Sequence, residues 1–125
     1  MIPMNKMIIY VYGKCSTCKQ ALLFLKQQKT TFTVKEITLE PPSIAELQRM
    51  LNYQNGNLKK LFNTSGLLYK EMQLGEKLEK MSLDQALTLL NQHGMLVKRP
   101  FLLGNNFGFI GFNEITWSKI SECQD

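Results

Sequence analysis

IIYVYGKCSTCKQ, residues 8–20, is the stretch that decides how the rest of the chain is arranged. Its first five residues are β-branched or aromatic and are followed by Gly13, a composition that predicts a short buried strand. Its second half begins a helix, because the apolar residues after Cys18 continue at helical spacing. Cys15 therefore falls at the turn from strand to helix, and Cys18 lies one helical turn further on the same side.

The two cysteines of this stretch predict a redox-active dithiol. A thiol at a helix N-terminus faces unpaired N–H groups and the positive end of the helix dipole, so the thiolate of Cys15 is favoured. Cys18 is close enough in sequence to close a disulfide with it. The same spacing also suits half of a zinc site, with His93 and Cys123 as the other candidate ligands, or two buried packing cysteines. Placement on a strand-to-helix turn favours the redox interpretation.

Composition limits the class of protein. The chain has 125 residues, enough for one domain with its own core, and carries a net charge of +5. This charge favours an anionic substrate or an acidic partner. The basic residues are scattered, which argues against direct binding of nucleic acid. No apolar run reaches the ~18 residues that a membrane span needs, so we expect no membrane association.

The cysteine count and the N-terminus indicate where the protein works. Three cysteines are an odd number, which is untypical of a secreted disulfide framework. We therefore expect a reducing, cytoplasmic location, in which a Cys-x-x-Cys disulfide is transient. Residues 1–7 lack the apolar core of a signal peptide and are expected to form a flexible lead-in to a single domain over residues 8–121.

Strands are predicted at both ends of this domain. Phe32–Ile37 follows a helix that ends near Gln28, and the resulting βαβ unit makes the first two strands parallel. Near the C-terminus, residues 100–103 and 108–110 flank a Gly-Asn-Asn turn and predict a hairpin. Asn113 is then expected to cap a last helix, whose apolar residues are Ile115, Trp117 and Ile120.

Residues 43–92 are predicted to form an inserted block of helices. Ser43 with Glu46, and Ser82 with Gln85, have the spacing of capping boxes. Apolar stripes follow each cap, and we expect these residues to be buried: Ile44, Leu47 and Leu51 in the first helix, and Leu83, Ala86, Leu87 and Leu90 in the second.

Shorter helices are predicted between the two capped helices of the block. One runs through Leu58–Phe62 and is capped by Asn57, and another covers Leu67–Met72. Gly94 suits a left-handed position at the end of the block. The order β-α-β, helical block, β-β-α indicates an α/β, thioredoxin-like fold with a helical insertion.

Six motifs, in this order and at this spacing, resemble the ArsC-like arsenate reductases and their relatives, the Spx-type regulators. The likeness runs from about Ile8 to Trp117 and is greatest to the small YusI- and YffB-like members. The motifs are Cys15-Ser-Thr-Cys18, Pro41-Pro42-Ser43 with Glu46 and Leu47, Phe62-Asn-Thr-Ser-Gly66, Tyr69-Lys-Glu-Met-Gln-Leu74, Gly94-Met-Leu-Val-Lys-Arg-Pro100 and Gly111-Phe-Asn-Glu114.

The resemblance implies a thiol–disulfide oxidoreductase in which Cys15 is the nucleophile and Cys18 the resolving thiol. In the glutaredoxin-coupled arsenate reductases, three arginines bind the oxyanion. Arg99, which precedes Pro100, matches one of them, and its alternative role is a surface salt bridge. Asn63 and Phe112 occupy the positions that match the other two.

The remaining site residues are predicted to bind substrate. They surround the dithiol in sequence or in the implied fold: Lys14, Ser16, Thr17, Asn63 and Pro100. Pro100 is expected to be cis, with a trans turn proline as the alternative. Asn63 has helix capping as its alternative role. No metal or bound cofactor is expected. The resemblance implies a thiol co-substrate such as glutathione, or a donor of the thioredoxin or glutaredoxin type, and a small thiol, disulfide or oxyanion as substrate.

The Spx-type regulators imply an alternative function. Their Cys-x-x-Cys switch matches Cys15 and Cys18, and a loop glycine that contacts the α subunit of RNA polymerase has Gly56 as its counterpart. Under this hypothesis the chain is a redox-switched transcriptional regulator and the α subunit is its partner.

Overall fold

Four strands form one mixed sheet in the computed structural model, which describes residues 7–120. In chain order they are β1 (Met7–Val11), β2 (Phe32–Glu36), β3 (Phe101–Leu103) and β4 (Gly108–Ile110). Their order across the sheet is β2-β1-β3-β4. β1 and β2 are parallel, and β3 is antiparallel to both β1 and β4. The predicted βαβ unit and the predicted hairpin are therefore confirmed, and they share one sheet.

The central strand β1 begins one residue earlier than the sequence predicts. Met7 pairs with Phe32 of β2 and is 1% exposed, so it belongs to the sheet and not to the lead-in. Along β1, side chains alternate between the two faces, and both Ile9 and Tyr10 are buried. A strand covered on both faces is apolar throughout, which is why this run is so clear in the sequence.

Within the described residues, six α-helices cover the two faces of this sheet. They are α1 (Ser16–Gln27), α2 (Ile44–Tyr53), α3 (Leu67–Glu71), α4 (Leu74–Lys77), α5 (Leu83–Gln92) and α6 (Glu114–Trp117). One core cluster joins α1 and Trp117 to one face of β1, and a larger one joins the helical block to the other. The result is the predicted α/β, thioredoxin-like architecture. No helix within residues 7–120 is long and apolar enough to cross a bilayer.

Both predicted capping boxes are present. The Ser43 hydroxyl accepts from the Glu46 N–H at 3.1 Å, and the Glu46 carboxylate accepts from the Ser43 N–H at 2.9 Å. Ser82 and Gln85 make the equivalent pair of bonds at 3.1 and 3.0 Å. These bonds satisfy N–H groups that the first helical turn leaves unpaired. Local sequence therefore fixes where both long helices of the block begin.

The short helices of the block differ from the prediction. Residues Leu58–Leu61 form a 3₁₀ turn instead of an α-helix, and the side chain of Asn57 makes no capping hydrogen bond. The chain also forms α4, which has no counterpart among the predicted helices because a glycine within four residues weakens the helical pattern. Gly75 lies inside α4, and the break falls at Gln73, whose φ of 55° is left-handed.

Gly94 does not take the left-handed conformation that the sequence analysis expected. It begins a 3₁₀ turn, Gly94–Leu96, and is buried. A Cβ atom on Gly94 would lie 2.0 Å from the carbonyl oxygen of Ile37. Glycine is needed here because two backbone segments approach closely, a contact that no local sequence pattern reveals.

Two predicted core residues are exposed. Ile44 is 46% and Leu83 42% exposed. Each is the first residue of its helix, directly after the capping serine, where the helix has not yet reached the core. The expectation that they are buried is wrong, whereas Leu47 and Leu87 are buried as predicted.

Candidate dithiol site

Cys15 caps the N-terminus of α1, as the opening stretch predicts. Its φ and ψ of −91° and 114° are extended, and its N–H donates to the Tyr12 carbonyl at 2.9 Å. Its Sγ accepts a hydrogen bond from the Cys18 N–H at 3.3 Å. Cys15 is half-buried, and both thiols are free. A helix N–H directed at a sulfur stabilises negative charge on it, so the arrangement suits a nucleophilic Cys15.

Cys18 lies behind Cys15 in the core. Its side chain is 1% exposed and belongs to the cluster that holds Ala21 and Val11. Burial, and then the hydrogen bond with Cys15, raise the pKa of Cys18 to about 12, although the Tyr12 backbone and the charge of Arg99 act in the opposite direction. Cys18 therefore keeps its proton at neutral pH while the pair is reduced.

Arg99 is held beside the dithiol by backbone and aromatic contacts. Its Nη1 donates to the carbonyls of Met95 and Val97 at 3.0 and 3.3 Å. Its Cζ lies 5.3 Å from the centroid of the Tyr12 ring, a cation–π distance. No salt bridge within residues 7–120 involves Arg99. The guanidinium is thus a positive charge that acts on Cys18, and no carboxylate of the described residues forms a salt bridge with it.

Pro100 directly follows this arginine, and the Arg99–Pro100 peptide bond is cis, which confirms the prediction. Pro100 is buried and leads directly into β3. Its carbonyl accepts a hydrogen bond from the Gly111 N–H at 2.9 Å. The start of the hairpin is thereby joined to its far end, next to Phe112.

Three predicted substrate-binding residues flank the cysteines in the chain. Lys14 and Ser16 are exposed, and Thr17 is half-buried. They border the dithiol because Lys14 lies in the turn before α1, while Ser16 and Thr17 lie in its first turn.

Asn63 lies on the segment that pairs with the approach to Arg99. Its N–H donates to the Leu96 carbonyl at 2.7 Å, next to the bridge between Phe62 and Val97. Its side chain packs against Gly66, where an added Cβ would lie 2.6 Å from Asn63 Nδ2. Within residues 7–120 no hydrogen bond joins Asn63 to either cysteine. The structure therefore pairs the segment of Asn63 with the residues that precede Arg99, while the Asn63 side chain lies against Gly66.

Tyr12 is a site residue that the sequence analysis missed. It accepts the Cys15 N–H and provides the ring over which Arg99 lies. In the sequence it only marks the end of a strand, and the available signal was an aromatic residue three positions before the first cysteine. Its role depends on Arg99, which is 87 positions away in the sequence and is brought close by the fold.

Phe112 lies in an aromatic group. Its ring centroid is 5.6 Å from that of Phe24 and 5.0 Å from that of Trp117, which it meets edge to face. The indole N–H of Trp117 donates to the Gly111 carbonyl at 3.1 Å, which fixes the group to the hairpin. Cys18, Phe24 and Trp117 belong to one apolar cluster, against which both Cys15 and Phe112 pack, so the dithiol borders an apolar group.

A zinc site would need further ligands beside the cysteine pair. Within the described part of the chain, no three Cys, His, Asp or Glu side chains lie close enough together to hold a metal ion. His93 is exposed at the end of α5. Cys123, the other ligand considered for zinc, lies outside the described residues.

Comparisons with known proteins give consistent matches. The model of the ArsC family matches residues 10–120. YusI of Bacillus subtilis (strain 168) is 41% identical over 105 residues, 84% of this chain and 89% of its own. The global transcriptional regulator Spx of the same organism is 24% identical over 106 residues, covering 85% and 79% of the two chains. An ArsC family related protein from Bacteroides fragilis superposes with a TM-score of 0.85 at 34% identity, covering 91% and 96%.

Proposed function

The chain belongs to the ArsC family, and from this premise we propose that it is a thiol–disulfide oxidoreductase that cycles Cys15 and Cys18 between dithiol and disulfide. The observation that supports the proposal most is the hydrogen bond from the Cys18 N–H to Cys15 Sγ at 3.3 Å. It places the two cysteines in contact at a helix N-terminus, with a half-buried sulfur in front and a buried one behind. This is the arrangement that attack by one thiol and resolution by the other require.

The reductive half-reaction consumes a disulfide substrate. The Cys15 thiolate attacks one substrate sulfur, the substrate S–S bond breaks, and the departing thiolate takes a proton from solvent. The product is a mixed disulfide on Cys15. Cys18 then loses its proton and attacks Cys15 Sγ, which forms the Cys15–Cys18 disulfide and releases the second substrate thiol. Two electrons pass from the cysteine pair to the substrate.

The cycle closes when an external thiol reduces the Cys15–Cys18 disulfide. Two equivalents of a small thiol such as glutathione, or one dithiol donor of the thioredoxin or glutaredoxin type, supply the two electrons and are themselves oxidised to a disulfide. No bound cofactor takes part in either half-reaction. A reducing cytoplasm, which we propose as the location, maintains the supply of such thiols.

The substrate that we propose is a disulfide and not arsenate. A clamp for an oxyanion needs several guanidinium groups that converge on it. Only Arg99 is available, because Asn63 packs on Gly66 and Phe112 packs between Phe24 and Trp117. An apolar wall and one cation suit a sulfur substrate better than a multiply charged anion at the thiol.

The test is a turnover assay with glutathione disulfide, and separately with arsenate, in the presence of a thioredoxin-type donor. We expect turnover of the disulfide and its loss in Cys15→Ser, whereas Cys18→Ser accumulates a mixed disulfide visible by mass spectrometry. Cys123→Ser is the matched control and keeps the wild-type rate. Turnover of arsenate alone, or full activity in Cys15→Ser, contradicts the proposal.

A redox-switched regulator is the second candidate. It is supported by the similarity to Spx and by Gly56, which lies in an exposed turn with φ of 78° and nothing within 4 Å of an added Cβ. Under this candidate the turn contacts the α subunit of RNA polymerase in one redox state. A pull-down with that subunit, comparing oxidised and reduced protein and Gly56→Arg, tests it. Binding without any disulfide turnover favours the regulator over the enzyme.

A further inference from the structure

A cleft with three lysines opens next to the segment that carries Arg99. Its volume is about 420 Å³, and Lys59, Lys60 and Lys98 line it. This volume is within the range of small-molecule pockets. Within residues 7–120, none of the three lysines forms a salt bridge. The ion pair in this part of the chain joins Lys35 and Glu40.

Backbone hydrogen bonds fix the relative positions of these lysines. The Lys98 N–H donates to the Leu61 carbonyl at 2.9 Å, and Phe62 forms an antiparallel bridge with Val97. Lys59 and Lys60 belong to the 3₁₀ turn Leu58–Leu61, so Lys98 is held directly beside them. Residues almost 40 positions apart thus contribute to one positive wall, which explains why the charge looks scattered in the sequence.

The remaining residues that line the cleft provide polar and apolar contacts for a ligand. Asn57 and Thr64 provide neutral donors, and the side chain of Asn57 is not used as a helix cap. Gln54 Nε2 donates to the Gly108 carbonyl at 3.1 Å, which ties α2 to β4 behind the cleft. Phe62 and Ile110 supply apolar surface. Among residues 7–120, no acidic side chain lines this cleft.

We propose that this cleft binds a small molecule that carries several negative charges. Ammonium groups act as point charges toward phosphate or carboxylate oxygens, and three of them around one cavity favour an anion with more than one charge. The limited volume favours a small molecule over a folded partner. The proposal goes beyond the dithiol chemistry, since no residue of the redox pair lines the cleft.

The test is a titration of ¹⁵N-labelled full-length protein with pyrophosphate, and separately with citrate, followed by NMR. We expect saturable shifts centred on the amides of Lys59, Lys60, Thr64 and Lys98. Stronger binding of pyrophosphate identifies phosphate as the ligand chemistry, and stronger binding of citrate identifies carboxylate; both outcomes support the proposal.

The matched variants are two triple substitutions with the same change in net charge. We expect Lys59→Gln/Lys60→Gln/Lys98→Gln to weaken binding by about tenfold or more, since three exposed charge contacts are lost. The control replaces three exposed lysines elsewhere, Lys26→Gln/Lys70→Gln/Lys119→Gln, and should stay within about twofold of wild type.

Several results would overturn the proposal. If both triple variants bind the anions equally weakly, the attraction is due to net charge and not to the cleft. If the chemical-shift changes are centred on other amides, the anion binds at another site. A hexaglutamate peptide that binds through the same lysines more tightly than either small anion identifies a protein partner instead. Cys15→Ser must bind the anions like wild type, so a failure of the redox proposal leaves this result unaffected.

Discussion

Cys15 and Cys18 are three residues apart yet lie in different surroundings. Cys15 is half-buried and its sulfur accepts a helix N–H, whereas Cys18 is 1% exposed and packed in the core. The difference follows from their positions at the helix start, since Cys15 is the extended capping residue before α1, whereas Cys18 lies within α1 on the face that packs against the core. One spacing therefore provides both an accessible sulfur and a protected one.

This difference predicts selective alkylation at pH 7. In a Cys123→Ser background, the variant that retains only Cys15 should react with iodoacetamide at least about tenfold faster than the variant that retains only Cys18. Burial, which raises the pKa of Cys18 to about 12, keeps that sulfur protonated as well as inaccessible. The measurement is the rate of mass increase. Unfolding in urea serves as the control and should make the two alkylation rates equal. Equal rates in the folded protein contradict the prediction.

Arg99 depends on its planar guanidinium. Two carbonyls accept from Nη1 while the group lies over Tyr12, and a lysine cannot maintain both contacts. We expect Arg99→Lys to lower the rate of disulfide turnover by about tenfold. Arg49→Lys is the matched control, because Arg49 donates to the Gly104 carbonyl away from the dithiol. Equal rates of disulfide turnover in the two variants would show that Arg99 has no role at the dithiol.

At the scale of elements, the boundaries were predictable wherever a local signal sets them. Ser43 and Ser82 begin helices because each side chain satisfies N–H groups three residues on. The same rule failed at Asn57, where the chain forms a 3₁₀ turn whose position is set by pairing of the next residues with Val97. Tertiary pairing there outweighs the local preference for a capped α-helix.

The close backbone approach at Gly94 predicts that an added side chain lowers the stability of the fold. Gly94→Ala places a methyl group 2.0 Å from the Ile37 carbonyl oxygen, and we expect a loss of about 3 kcal/mol in the free energy of unfolding. Gly75→Ala is the matched control, since nothing lies within 4 Å of its added Cβ and α4 favours alanine. This control should gain about 0.5–1 kcal/mol. Urea unfolding measures both, and a mild effect at Gly94 would contradict the close backbone approach.

At the scale of the whole molecule, two buried groups hold protons more tightly in the folded state. Burial raises the pKa of Cys18 to about 12. Burial and the Glu46 carboxylate, which accepts the Tyr10 hydroxyl at 2.6 Å, also raise the pKa of Tyr10. The folded protein binds more protons than the unfolded chain above the ordinary pKa of each group, so its stability falls as pH rises through that range.

The resulting prediction concerns the reduced protein between pH 9 and pH 11. Cys18, which titrates near pH 9 when unfolded, should remove up to about 1.4 kcal/mol of stability per pH unit over this window. Urea unfolding of wild type and Cys18→Ala at several pH values measures the difference. The variant should retain only the shallower decline caused by Tyr10. If the free energy of unfolding falls equally with pH in the two proteins, Cys18 does not have the raised pKa.

The sequence by itself determined the four strands, the long helices and their order. Residues 8–20 specify a strand, a turn and a helix with a Cys-x-x-Cys pair, because hydrophobic periodicity, capping and helix-terminus chemistry are all local. The same local rules predicted the parallel pair of strands and the hairpin, which are confirmed.

Only the tertiary structure decided which distant groups meet. It stacks Arg99 on Tyr12, buries Cys18, packs Phe112 among aromatic rings and gathers Lys59, Lys60 and Lys98 around one cleft. These contacts depend on how the two ends of the chain join in one sheet, and sequence periodicity carries no information about such long-range packing. The chemistry at the start of α1 could therefore be predicted from the sequence, whereas the distant residues that surround it could be identified only from the tertiary structure.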